Sequence, residues 1–249
     1  ALMAGGMHLL GLYGAATLTG ALWVAPLTHL YATTALLGLG YMLDLRLVTA
    51  LAVAPFAQML DTSTEYFHAA YVFYSPEPTL SILQMGLAMI AALWLVQNRS
   101  GRIARQAGIF AMMTFVIGNL CFLVGSLWGD VVGSSFQGLR WEDFSDWDAY
   151  EAAQEGYRQT ALAISSGVYS VIWALALAMS AGYAVYRNRR GLFNASLTFA
   201  ALHAYTQMFE SFGDEPLAYV IGGLGAVPLA WGLWRINERF RDWQAAHRA

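Results

Sequence analysis

The chain has 249 residues, 58% hydrophobic and 12% charged, with a formal net charge of -3 and a mean hydropathy of +0.47. Soluble domains carry about 25% charged residues, so this composition excludes an ordinary water-covered globule, and the acidic balance gives no footing for a nucleic-acid partner. All thirteen basic residues are Arg, which excludes Schiff-base chemistry and Lys-bound retinal, and the single Cys121 excludes an intramolecular disulfide or a zinc site of several thiolates.

Apolar runs bounded by charge or proline follow one another along the chain. The first covers 4–25. Residue 1 is Ala rather than an initiator Met, which reads as a trimmed or partial chain, and the run lacks the basic flank of a signal peptide. The second covers 27–43. The third, 47–60, falls short of the ~20 residues that cross a bilayer squarely; it is expected to extend into 61–74 or to sit against thinned bilayer. The remaining runs are 79–96, 108–128, 160–186, 192–210 and 217–234.

Arginine sorts with the alternation of these runs. Arg46, Arg99, Arg102, Arg105, Arg187, Arg189, Arg190, Arg235, Arg239, Arg241 and Arg248 fall on one side, and only Arg140 and Arg158 on the other. Thirteen of the sixteen acids take the Arg-poor side. The positive-inside rule then puts both termini in the cytoplasm of a bacterial-type inner membrane. The expected fold is all-α: a single polytopic transmembrane domain over 1–249 with about eight spans, and one or two extracytoplasmic interfacial helices.

Two connections, 61–78 and 129–159, are long and extracytoplasmic in this layout. The first is too aromatic for a plain loop and predicts an interfacial or re-entrant helix ended by Pro76 and Pro78. The second sets Trp141, Phe144, Trp147, Tyr150 and Tyr157 among Glu142, Asp143, Asp146, Glu151 and Glu155, a pattern for an amphipathic helix. Its acidic face would be repelled by anionic lipid, so packing on the protein's own helices is an equal expectation.

Polar residues inside the spans mark the candidate site. His203, Gln207 and Glu210, with Asp214 beyond, share one face of the seventh run. Asn119, Ser126 and Asp130 form a second stripe on the fifth. If the stripes meet, they make an outer-leaflet polar pocket for a proton, metal or solute; the plain alternative is inter-helical hydrogen bonding. Asp61, Glu65 and His68 carry oxygen and imidazole donors suited to zinc or iron, against the alternative of a solvated face. His8 and His29 lie at unmatched depths for a bis-His haem. Met residues lack the repeated spacing of copper trafficking. Gly-rich stretches inside spans read as close helix contacts, not phosphate loops, and no serine–histidine–acid set is evident. The residues themselves assign no cofactor.

Three stretches together carry a resemblance: Glu65-Tyr66-Phe67-His68-Ala69-Ala70-Tyr71, Gly125-Ser126-Leu127-Trp128-Gly129-Asp130, and His203-Ala204-Tyr205-Thr206-Gln207-Met208-Phe209-Glu210. The pattern resembles bacterial polytopic membrane proteins of families of unknown function, including those with Gly-Asp after a span, over roughly 40–235. It implies no activity. It implies a site at the same outward residues, and it departs at the N-terminus, where such families often carry extra sequence. Three functions compete: a solute- or ion-handling protein using the polar pocket, a non-catalytic subunit or assembly factor of a respiratory or photosynthetic complex, and a membrane enzyme with a periplasmic metal site. The partners implied are the lipid bilayer and other membrane-protein subunits.

Overall fold

A computed structural model describes residues 11, 14, 25–67, 70–136, 143–212 and 216–246. Apart from residues 11, 14 and 25, the apolar run at 4–25 falls outside the described residues, as do the histidines His8 and His68. The chain divides into two compact units, 1–169 and 170–249, and the described residues are mostly helical.

The first unit is built on a helical hairpin. Helix α1 is Ala25–Leu43. Two short helices follow, α2 (Arg46–Leu51) and α3 (Val53–Gln58). The hairpin itself is α4 (Pro78–Asn98) and α5 (Gly101–Trp128). Pro78 opens α4 where a missing N–H costs nothing. Gly101, at φ +64°, takes the left-handed conformation needed to reverse the chain between the two helices.

The run 47–60 is an apolar helical segment over Arg46–Gln58, shorter than a span as its length predicts. Pro55 removes the N–H that would bond the carbonyl of Leu51, and the segment has a turn at Ala52 between α2 and α3. Expectation and structure part at the next connection. The 61–78 connection is not an interfacial helix but a β-hairpin: β1 (Ser63–Phe67) pairs antiparallel with β2 (Ala70–Tyr74), with Ser63 opposite Tyr74 and Phe67 opposite Ala70. Aromatic and β-branched residues fit a pleated ribbon better than a helix of this length.

The 129–159 connection contains the expected helix, α6 (Trp147–Thr160), started by Asp146, whose carboxylate accepts from the Ala149 N–H at 2.9 Å. A short ladder brackets it: β3 (Asp130–Val131) pairs with β4 (Ala163–Ile164). Gly129 makes this closure feasible. Its φ is +72°, and a Cβ there would lie 2.7 Å from the Ile164 carbonyl oxygen.

Helix α7 (Ser166–Tyr186) leads into the second unit, which continues with α8 (Arg190–Phe212) and α9 (Pro216–Ala246). Ala184 and Phe193 are its buried core, with Leu192, Leu197 and Ile236 packed against them. The Ser180 and Ser196 hydroxyls meet at 2.9 Å and tie α7 to α8.

Three described helices, α4, α5 and α7, are long and apolar enough to cross a membrane. At 1.5 Å per residue the 21 residues of α4 reach about 32 Å, close to a hydrocarbon core of ~30 Å. Leu83, Leu87, Ile90 and Trp94 recur at helical spacing along α4 and are 56–68% exposed. A continuous apolar stripe turned away from the protein is costly in water and costs nothing in lipid. These features fit a membrane protein.

A candidate acidic site at one end of the helical hairpin

Two carboxylates sit inside the protein where α4 begins and α5 ends. Glu77 is fully buried and Asp130 is 8% exposed. Each reaches across to the other's segment. Glu77 accepts from the Gly133 N–H at 2.9 Å and the Ser134 hydroxyl at 3.2 Å. Asp130 Oδ2 accepts from the Thr79 N–H, in the first turn of α4, at 2.9 Å. That N–H is one of the helix-start donors without an internal partner, and the positive end of the helix dipole favours an acid there. The exchange clasps the two ends together.

Tyr169 completes the site. Its hydroxyl donates to Asp130 Oδ2 at 3.2 Å and makes a short hydrogen bond with the Thr79 hydroxyl. The ring reaches this position through a gap in α5. A Cβ on Gly125 would lie 2.5 to 2.8 Å from three of its carbons. Tyr157 supports the adjacent loop by donating to the Val132 carbonyl at 2.9 Å.

Polar groups continue one turn further along α4. Thr62, Ser75 and Ser81 are buried and mutually hydrogen bonded: Thr62 lies 3.0 Å from Ser75 and 2.7 Å from Ser81. The buried Cys121 thiol lies beside Ser75 and Thr62. Beyond them the interior turns apolar. Val53, Ala57 and Met85 form a buried cluster, with Phe56, Phe110, Met113 and Ile117 packed around it.

A second polar cluster lies at the hairpin's opposite end. Asp44, at φ 54° in the turn after α1, forms an ion pair with Arg105 and accepts from Gln106 at 2.7 Å. Gln106 in turn accepts from the Thr49 hydroxyl at 2.7 Å. The Arg105 and Gln106 hydrogen bonds hold the Asp44 carboxyl below its ordinary range. Arg102 donates to the Tyr41 and Met42 carbonyls, both at 3.2 Å, adding a donor at the end of α1, where helical carbonyls run short of partners.

Of the residues that the sequence singles out, Asp130 hydrogen-bonds across helices, to Thr79 and Tyr169. Asn119 donates to its own helix at Phe115, and Ser126 to Leu123. His203, Gln207 and Glu210 belong to the second unit, whereas Asn119, Ser126 and Asp130 belong to the first. His203 stands edge-on to the buried Trp173 with ring centroids 4.7 Å apart, and its buried Nδ1 has no hydrogen-bond partner among the described residues. Gln207 is half-buried and Glu210 exposed. Asp61 is exposed, at φ 55°. The Glu65 backbone lies in β1, with its side chain outside the described set. Among the described residues no group of three or more His, Cys, Asp or Glu side chains is arranged to hold a metal ion.

Glu77 and Tyr169 are not evident from sequence. Glu77 stands between Pro76 and Pro78, where an acid before a helix reads as an ordinary cap, and Tyr169 lies within an apolar run. The available signal is the Pro-Glu-Pro triplet opening a span opposite a Gly-Asp closing one. No family model, no curated protein and no solved structure matches this chain.

Proposed function

We propose that the chain is a polytopic protein of a bacterial-type inner membrane that handles an ion or small solute at the Glu77–Asp130 site. In this reading the chain has about eight spans and both termini are cytoplasmic, as the sorting of arginine supports. The clasped end of the α4–α5 hairpin then faces the extracytoplasmic side, and the Asp44–Arg105 end the cytoplasm.

The observation that carries the reading is the burial of two carboxylates at one end of the α4–α5 hairpin. Withdrawing such groups from water costs several kcal/mol each unless donors replace the lost hydration. Two helix ends can be joined by cheaper neutral groups. Ionisable residues at such positions are markers of ion and solute paths. The buried Thr62, Ser75 and Ser81 hydroxyls continue the polar groups inward, and the apolar cluster around Met85 follows them. That arrangement suits a site loaded from one side better than an open pore.

Flux measurements test this. Protein in liposomes carrying a lumenal pH dye and imposed sodium or potassium gradients should pass ions. Asp130→Asn and Glu77→Gln should abolish the flux while the protein still elutes as a folded monodisperse species. Glu210→Gln asks the same of the second unit. Flux unchanged in both first-unit variants would overturn the assignment. A subunit role is the second reading, favoured by α6, which buries none of its residues.

A further inference from the structure

We propose that the end of the second unit where α7, α8 and α9 come together holds the headgroup of an anionic diacyl phospholipid, whose chains lie along α9. The inference rests on the membrane reading above, but on neither ion handling nor the choice of side.

Packing of the three helices sets the place. Buried Ala184 and Phe193 join α7 to α8, and Ile236 of α9 packs against them. Arg187 lies three residues past Ala184, Arg190 three before Phe193, and Arg239 three past Ile236. A step of three keeps to one face of a helix. The Arg187 N–H still bonds the Tyr183 carbonyl at 2.9 Å, so that residue keeps its helical position. Each Arg therefore continues its own core contact outward by one turn, and the three gather at one end. The turn between α7 and α8 is closed by its backbone: Asn188 is at φ 50°, and the Arg189 N–H bonds the Ala184 carbonyl at 2.8 Å.

Charge at this end is unbalanced. The turn and the last turns of α9 hold Arg187, Arg189, Arg190, Arg235, Arg239 and Arg241 against Glu238 and Asp242. Arg187, Arg189, Arg235 and Arg239 are exposed, and none of these four is in an ion pair among the described residues. Arg189 and Arg190 also stand at the start of α8, whose first turn has no acid. Positive charge at the positive end of a helix dipole is unfavourable, and an anion offsets it.

The occupant is a lipid because the same end joins an apolar stripe. Val220, Leu224, Val227, Trp231 and Trp234 follow at steps of four, three, four and three, and are 53–69% exposed. The Arg235 guanidinium carbon lies 4.6 Å from the centre of the Trp231 ring, one turn before it. Acyl chains cover such a stripe without cost, and a phosphodiester accepts charge-assisted, bidentate hydrogen bonds from Arg. Basic residues gathered between helix ends attract anionic headgroups. A soluble phosphate ester would use the arginines and leave the stripe bare. A zwitterionic lipid would cover the stripe and bring no net charge.

The test is titration of the whole chain, purified in detergent, with phosphatidylglycerol, phosphatidylcholine and glycerol phosphate, read by native mass spectrometry. Wild type should hold one phosphatidylglycerol about tenfold more tightly than phosphatidylcholine. Arg187→Gln with Arg239→Gln should lose that preference. Arg187→Lys with Arg239→Lys should keep most of it, which excludes misfolding as the cause of the loss. Arg46 and Arg99 are exposed in the first unit. Arg46→Gln with Arg99→Gln removes the same charge and should leave the preference unchanged. Equal loss from the two Gln pairs would overturn the proposal, because positive charge anywhere would then suffice. So would no loss from either pair, no preference in wild type, or glycerol phosphate displacing the lipid at matched concentration. Carbonate extraction tests the membrane reading separately. A chain that stays in the membrane fraction keeps that reading whichever way the titration falls, and a chain that is released would overturn both.

Discussion

Single residues decide how the acidic site is shaped. Gly125 leaves the gap through which the Tyr169 ring reaches Asp130. Gly125→Ala should therefore lower thermal stability in detergent by about 1–3 kcal/mol, the usual range for overpacking. Gly118→Ala, whose Cβ would meet only Met85 at 3.4 Å, should change it far less. Equal melting of the two variants would contradict that geometry. Asp44 supplies a pH prediction at the other end. Its folded pKa lies below the ordinary 3.8, so its contribution is complete above that value and is lost as pH falls through the folded value. Asp44→Asn should remove that part of the acid sensitivity, read as a flatter stability profile below about pH 4. Asp130 is legible in the sequence because a lone acid just after a long apolar run stands out. Glu77 is not, because its burial depends on Gly133 and Ser134, more than fifty residues away, folding back over it.

At the level of elements, apolar length and helical periodicity are the strongest signals, and α4, α5 and α7 follow from them. The hairpin at 63–74 does not. Short aromatic runs satisfy helix and strand patterns alike, and the His68-Ala69 link carries no Gly, Asn or Asp to signal a hairpin turn. Pro55 in α3 is visible in the sequence, and it accounts for the turn at Ala52 inside the short third run. Helix α6 rests on its first turn. Asp146 accepts from Ala149 N–H, and this hydrogen bond with that from Ser145 holds its carboxyl below the usual range. Asp146→Ala should fray the start of α6, seen as faster amide exchange at Trp147–Tyr150 with the exchange of α4 and α5 unchanged. Uniform exchange along α6 in both proteins would show that the cap does not hold it.

For the whole molecule, the arginine distribution makes a sided prediction. Cys121 is fully buried, so single cysteines placed elsewhere can be read against a silent background. Gly156 has open space around its Cβ position, and Ser100 is exposed in the α4–α5 turn. A membrane-impermeant maleimide should label Gly156→Cys in spheroplasts, and Ser100→Cys only after permeabilisation. Labelling of both from one side would undo the layout. The clasp between Glu77 and Asp130 also constrains how this protein is made. Its donors on the far side, Gly133 and Ser134, leave the ribosome only after α4 and α5 have both been synthesised. Until then Glu77 has no loop to bind, and the start of α4 lacks Asp130. In the topology proposed above the two helices would therefore pack as a finished pair only once residue 134 has been made, and a nascent chain stalled before residue 130 would leave Glu77 without these donors.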